Sequence, residues 1–238
     1  AGNNVGIRNA SGSYIVLLNN DAEMDRRCIS EMQRALVKDR QYGACASRIY
    51  LKFEKDTLDA AGIAICPDGL SIGRGRLDRG VGYEREEEVF FASGCCMMCR
   101  KEMLEDVQVG DNYFDEDFFM YADDTDLGWR ARLRGWKTIY APAAKAYHLH
   151  SASSETYSPF KAFLVERNRI WIQIKYFPVG VIAYGQVFTA LRYLIQVYGA
   201  FSGKGASGGF CRDHSKITLL KILLKVWLAA AGGLPTAL

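Results

Sequence analysis

Tyr14-Ile15-Val16-Leu17-Leu18-Asn19-Asn20-Asp21 is the stretch on which the fold turns. Five apolar residues in unbroken succession, bounded by polar ones, match a strand buried on both faces of a parallel sheet. The run delivers two amides and a carboxylate to its C-terminal end, the edge at which open α/β sheets bind ligands. Upstream, residues 2–11 suit a short helix stopped at Ser11-Gly12. Downstream, Cys28–Lys38 carries Ile29, Met32, Leu36 and Val37 on one face of an amphipathic helix. Ala44-Cys45-Ala46 with Ile49-Tyr50, and Val89-Phe90-Phe91-Ala92, are further short strands. Residues 101–106 predict a helix, and so does Asp126 to Arg134, closed by Gly135. Trp136–Tyr140 predicts a strand that Pro142 ends, and a helical pattern is expected from Ser158 through Glu166-Arg167-Asn168-Arg169 to Tyr176-Phe177-Pro178. The glycine- and charge-rich segment 54–88 is an irregular excursion long enough to serve a function. Alternating strands and helices of this kind predict an α/β domain over residues 1–178.

The composition agrees with a globular protein: 238 residues, 49% hydrophobic and 24% charged. A net charge of +3 is too small to point to nucleic acid. The charge is uneven, however. Residues 179–238 hold Arg192, Lys204, Arg212, Lys216, Lys221 and Lys225 against Asp213 alone, whereas Glu84 to Asp126 is rich in acids. Seven cysteines, three of them packed as Cys95-Cys96-x-x-Cys99, do not form a secreted disulfide framework. A zinc half-site would need a complementary Cys or His pair at the usual spacing, so buried, reduced thiols in a cytosolic protein are expected. Ala1-Gly2-Asn3-Asn4 reads as mid-domain sequence, and Leu234 to Leu238 lacks a clear cap.

Three constellations carry chemistry. In Phe118-Phe119-Met120-Tyr121-Ala122-Asp123-Asp124-Thr125-Asp126-Leu127-Gly128-Trp129-Arg130, three carboxylates fall within four residues. Crowding raises the pKa of one member and so suits a general base near neutrality. Asp126 fits better as a helix-terminal acid paired with Arg130 at i,i+4. The aromatic run before Asp123 and Asp124 argues for a walled cleft. Asn19-Asn20-Asp21 is placed to hold a divalent ion against a diphosphate, although the same triplet is good turn chemistry. In Tyr147-His148-Leu149-His150-Ser151 the two histidines share a face of an extended chain, as a metal pair or as structural residues.

Taken in order, Leu17–Asp21, Phe91-Ala92-Ser93-Gly94-Cys95-Cys96-Met97, Phe114–Tyr121 and Asp123–Arg130, continued by Gly135-Trp136, Tyr140-Ala141-Pro142 and Tyr147-His148, resemble the family 2 glycosyltransferases. Bacterial rhamnosyl- and galactofuranosyl-transferase-like members are the most similar. The resemblance covers residues 3–178 and implies a GT-A fold, a single Rossmann-like α/β sheet, here expected to lack its N-terminal nucleotide-binding strands. The piece alone is accordingly expected to be inactive.

By the same resemblance, Asp21 matches the last carboxylate of the family's Asp-x-Asp metal motif, with Asn19 where many members carry the first. Asn19 and Asn20 then border the donor. Asp124 matches the catalytic base and Asp123 its acceptor-binding neighbour. Gly94 and Cys95 match the wall shared by donor sugar and acceptor, and His148 matches a histidine that completes the metal site in some members. The implied reaction is an inverting, Mn2+- or Mg2+-dependent transfer from a dTDP- or UDP-linked sugar to a glycan or lipid-linked acceptor, in cell-envelope polysaccharide synthesis. The Gln-x-x-Arg-Trp signature of processive synthases is absent, and Arg169-Ile170-Trp171 is no substitute. The rival reading is a non-catalytic carbohydrate- or partner-binding remnant.

The tail, residues 179–238, is expected to be helical. Val179–Phe201 has the length of a spanning helix, but its Tyr, Gln and Thr residues argue against one. Ile217–Leu228 sets Ile217, Leu220, Leu224, Trp227 and Leu228 on one side and Thr218, Lys221 and Lys225 on the other. That pattern suits either a membrane surface, here the inner face of the cytoplasmic membrane, or packing on the protein.

Overall fold

The computed structural model describes residues 2–54, 56–149 and 158–232. Helix α1 (Gly2–Asn9) leads into strands β1 (Tyr14–Leu18) and β2 (Ala22–Met24), and then helix α2 (Cys28–Leu36). Strands β3 (Tyr42–Leu51), β4 (Leu58–Ala60), β5 (Ile63–Ile65), β6 (Ser71–Gly73), β7 (Glu87–Val89) and β8 (Cys96–Arg100) follow. Helix α3 (Lys101–Asp106), a 3-10 turn at Glu116–Phe118, helix α4 (Asp123–Leu133) and strand β9 (Lys137–His148) complete the first unit. The segment 54–88 is therefore not irregular throughout. It holds four short strands, with β5 and β6 paired as a hairpin.

The main sheet has seven strands in the order β1-β8-β3-β9-β2, with β4 on β3 and β7 on β9. Among the described residues only β3 and β9 run parallel in this sheet; every other pairing is antiparallel. This corrects the expectation of a parallel setting for β1, whose partner is the antiparallel β8, from Tyr14 opposite Arg100 to Leu18 opposite Cys96. An apolar run records burial but not the direction of its neighbour. Burial on both faces does hold. Ile15 and Leu17 join Ile7, Met103, Leu104, Leu127 and Ala131 in one cluster. Tyr14 and Val16 pack on the other side against a cluster containing Cys28, Met32 and Leu36. β8 obeys the same period of two, sending Met97 and Cys99 to the first cluster and Cys96 and Met98 to the second. The closely spaced cysteines are thus core residues with free thiols.

Two further differences matter for the site. Residues 44–50 form part of one ten-residue strand, β3. Pro142 does not end β9: the register against β3 jumps from Ser47–Ala141 to Arg48–Lys145 and resumes. Pro142 sits in the resulting bulge, where its missing N–H forfeits no ladder bond. The strand therefore continues to His148, which pairs with Ala22.

The second unit holds α5 (Pro159–Tyr176), α6 (Val179–Ser202), α7 (Gly205–Asp213) and α8 (Lys216–Gly232), with Cys66–Leu70 and Met120–Ala122. Ser158 caps α5, accepting from the Lys161 N–H at 3.2 Å. Its core gathers Ile170, Phe210, Ile222, Val226 and Ala230. A buried ion network joins Asp68, Glu166, Arg169 and Arg192, so Arg169 is an internal structural cation. α8 is apolar on two sides. Ile222 and Val226 are buried, while Ile217, Leu220, Leu224, Trp227 and Leu228 are exposed. Among the described residues no helix is long and apolar enough to cross a membrane.

Candidate active site

At the end of β1 the Asn19 N–H donates to the Cys95 carbonyl at 2.9 Å, and the Asn19 carbonyl accepts from the Ala22 N–H at 3.1 Å. Asn19-Asn20-Asp21 therefore is a turn, with both asparagines exposed and Asp21 half-buried. The turn also aims Asp21 at β9. The Asp21 carbonyl accepts from the Leu149 N–H at 2.9 Å, and Asp21 Oδ1 lies 3.2 Å from His148 Nε2. The other ring nitrogen, Nδ1, lies 2.7 Å from Asp59 Oδ2. Asp59 is buried on β4 and also pairs with Arg76. Burial alone would lower the His148 pKa, but the bond and charge of Asp59 and the charge of Asp21 outweigh it and raise it. His150 lies outside the described residues.

Asp59 escaped the sequence reading because no motif surrounds it. The available signal was a lone carboxylate inside the apolar run Leu58-Asp59-Ala60-Ala61, where a buried polar residue is the informative exception.

Asp123 and Asp124 open α4, three residues earlier than helical periodicity alone suggested. Asp124 Oδ2 accepts from the Gly94 N–H at 2.9 Å, and Thr125 Oγ1 lies 3.4 Å from Asp124 Oδ1. A Cβ on Gly94 would meet Asp124 only at 3.5 Å, an ordinary contact, so the N–H rather than the missing side chain links the two. Burial raises the Asp124 carboxyl against the pull of these hydrogen bonds. Burial, followed by the charge of Asp124, pushes Asp123 up to about 7. Phe119, Tyr121 and Ala122, just before the pair, have φ of 61°, 64° and 60°. Such concentrated left-handed backbone at non-glycine residues marks a segment held in place against its local preference. Asp123 lines an open cleft of about 230 Å³ with Gly2, Asn3, Phe114, Asp115, Glu116 and Phe119. Of the aromatic loop, Phe114 and Phe118 are core residues, and Phe119 is exposed.

Asp126 takes the structural role expected of it. It is fully buried and accepts from Arg130 Nε at 2.9 Å, while Arg130 Nη2 reaches the Tyr113 carbonyl at 2.8 Å.

The adjacent residues Gly94 and Cys95 join the two carboxylate groups: the Gly94 N–H holds Asp124, and the Cys95 carbonyl accepts from the Asn19 N–H at the start of the turn that carries Asp21. Cys95 itself is buried, and burial raises its thiol. The strand-end pair and the helix-start pair thus share one neighbourhood at the end of the sheet.

Residues 3–172 match the family described as glycosyltransferase like family 2. The chain belongs to this family. Among curated members it is 36% identical over 95 residues to the N-acetylglucosaminyl-diphospho-decaprenol L-rhamnosyltransferase of Mycobacterium tuberculosis, covering 36% of this chain and 30% of that one. It is 28% identical over 179 residues to the low-salt glycan biosynthesis hexosyltransferase Agl10 of Haloferax volcanii, covering 71% and 54%. The O-antigen biosynthesis protein RfbC of Myxococcus xanthus is 25% identical over 159 residues, covering 63% and 12%. This family 2 chain therefore spans about a third to a half of the length of the first and second relatives. A crystal structure of GalNAc-T7 with UDP, GalNAc and Mn2+ superimposes with a TM-score of 0.55 at 12% identity, covering 97% of this chain and 43% of that one. The shared fold is GT-A, an α/β architecture, and this chain also holds the C-terminal helices α5 to α8.

Proposed function

We propose that the family 2 protein to which this sequence belongs transfers a hexosyl or deoxyhexosyl group from a UDP- or dTDP-linked donor to a hydroxyl of a glycan or lipid-linked acceptor, inverting the anomeric carbon, in cell-envelope polysaccharide synthesis. One observation carries the reading. Asp124, raised by burial, is held by the Gly94 N–H, and the carbonyl of the next residue, Cys95, accepts from Asn19 at the start of the turn that brings Asp21 to His148. In this reading Asp124 accepts the proton of the acceptor hydroxyl as its oxygen bonds to the anomeric carbon. The bond from that carbon to the diphosphate breaks, and its electron pair leaves with the diphosphate. Asp123 accepts a hydrogen bond from the acceptor beside it, and Gly94 and Cys95 form the wall between sugar and acceptor. Asn19 and Asn20 border the donor.

The Asp21–His148 pair suits a divalent ion. Two ligand atoms about 2.1 Å from one ion at a right angle stand about 3 Å apart, and Asp21 Oδ1 and His148 Nε2 are 3.2 Å apart. Among the described residues no three His, Cys, Asp or Glu side chains form a cage. Mg2+ or Mn2+ held by one or two protein groups completes its shell with phosphate oxygens and water, and the imidazole favours Mn2+. Such an ion supplies positive charge against the departing diphosphate.

Residues 179–238 act in this proposal as an appendage to a catalytic domain at 1–178. The exposed apolar face of α8, flanked by Lys221 and Lys225, rests on the cytoplasmic surface of an anionic membrane.

Asp124→Asn in the intact enzyme tests the assignment. The variant is expected to bind donor normally and to transfer roughly 10²–10⁴-fold more slowly, the usual cost of losing a general base. Transfer near the wild-type rate removes Asp124 from the role.

A further inference from the structure

We propose that Asp59 is a positioning residue that fixes which nitrogen of His148 faces Asp21. The proposal rests on the reading of Asp21 and His148 as a metal-binding pair and extends it to a residue that no motif marks.

Three strands bring the groups together. β3 pairs with β9 through Leu51 and His148, and with β4 through Ile49–Ala60 and Tyr50–Leu58, so that Asp59 falls opposite a register shift in β3. The Asp59 side chain is only 8% exposed, and its two oxygens have separate partners. Oδ1 pairs with Arg76 and Oδ2 faces His148 Nδ1 at 2.7 Å. The chain bearing Arg76 is laced to β4, with Leu77 N–H donating to the Leu58 carbonyl at 2.9 Å and Leu58 N–H to the Asp78 carbonyl at 2.8 Å. Gly73 permits that approach, since a Cβ there would lie 2.5 Å from the Asp59 carbonyl oxygen.

At any pH where an imidazole is neutral an ordinary carboxylate is ionised and can only accept. The proton of a neutral His148 ring is therefore held on Nδ1, where it donates to Asp59. Nε2 is left with its lone pair directed at Asp21 Oδ1, 3.2 Å away. Two acceptors facing each other at that distance need a cation or a proton between them. Without Asp59 the preference reverses: the ring places its proton on Nε2, donates to Asp21, and withdraws both groups from any metal ion. A carboxylate behind a metal-ligating imidazole is a general means of fixing tautomer and orientation.

The test uses the full chain and two independent readouts. Long-range 1H–15N correlation spectra of the metal-free protein, taken at rising pH until the ring nitrogens report the neutral form, since Asp59 and Asp21 raise the His148 pKa, report the tautomer. The sequence has three histidines, and His148→Ala identifies the resonance. Wild type is expected as the Nδ1–H form and Asp59→Asn is expected to shift toward Nε2–H. Arg76→Gln, which breaks the ion pair but leaves the imidazole contact, is expected to keep the wild-type tautomer, which a merely structural role for Asp59 does not predict. Mn2+ affinity in the presence of UDP, followed by electron paramagnetic resonance, is expected to fall about 10–100-fold in Asp59→Asn. An Nε2–H wild type, or an Asp59→Asn protein with the wild-type tautomer, overturns the proposal. Unchanged Mn2+ binding in both Asp21→Ala and His148→Ala would instead remove the metal reading, leaving the spectra to decide the role of Asp59.

Discussion

Replacing Asn4 by Ala isolates the contribution of one side chain to the loop that precedes the carboxylate pair. Asn4 is fully buried on α1, more than a hundred residues from its partners. Its Oδ1 accepts from the N–H groups of Tyr113 at 3.1 Å and Phe114 at 2.8 Å. Its Nδ2 donates to the Phe114 carbonyl at 2.9 Å and to Glu116 Oε1 at 3.0 Å. Alanine leaves three backbone groups of Tyr113 and Phe114 without these bonds. At about 1 kcal/mol net for each bond, the loss is about 3 kcal/mol, and more if water cannot reach the vacated space. That is a large fraction of the ~5–15 kcal/mol that stabilises an ordinary domain. Urea unfolding should show a lower midpoint at unchanged slope. Amide exchange at Tyr113 and Phe114 should accelerate more than exchange in the sheet. A loss below about 1 kcal/mol, or exchange at those two amides as in the wild type, would refute the reasoning that this side chain holds the loop.

The Asp123 carboxyl offers a pH-dependent counterpart. Its folded pKa of about 7 lies above the ordinary carboxylate value, so its contribution to stability is present below about pH 4 and lost as pH rises through about 7. About three units amount to ~4 kcal/mol, which partial exposure and sharing of the proton with Asp124 reduce to about 1–2 kcal/mol. Asp123→Asn should therefore gain about two thirds of that, roughly 1 kcal/mol, more relative to wild type at about pH 8 than at about pH 5 in urea unfolding, and an equal difference at both would sink the assignment. For the tail, replacing Leu224, Trp227 and Leu228 together by Ser alters only exposed positions of α8. Co-sedimentation with anionic phospholipid vesicles should fall more than about tenfold, since each apolar side chain buried in a bilayer interface contributes on the order of 1 kcal/mol. Unchanged co-sedimentation would show that this face does not meet lipid.

What the sequence disclosed was local. Asp126 with Arg130, the helix at Lys101–Asp106 and the turn at Asn19–Ala22 depend on neighbours a few residues away, and each is found as the pattern requires. The motifs at Asp21, Gly94, Asp124 and His148 were recognisable as a series, yet their convergence is tertiary. The direction of the partner of β1 was illegible because hydrophobicity carries no polarity along the chain. The inner face of α8 was illegible for a related reason. With leucines on both sides, periodicity cannot choose between Ile222 and Val226, which pack inward, and Leu224 and Leu228, which do not.

The path of β9 shows how strongly the site depends on such nonlocal structure. A proline in a strand ordinarily argues for its end, and a strand ending at Pro142 would have released Tyr147 and His148 into a loop. The bulge at residues 142–144 instead lets the parallel pairing with β3 resume at Arg48–Lys145 and run to Leu51–His148. Only that continuation puts His148 beside Ala22 of β2, and hence its Nε2 beside Asp21. The same continuation sets the ring against Asp59 through β3 and β4. Three residues separated by 38 and 89 positions along the chain therefore meet because one irregularity preserves a register. Their relative placement is a property of the sheet, which positions side chains more closely than a loop does.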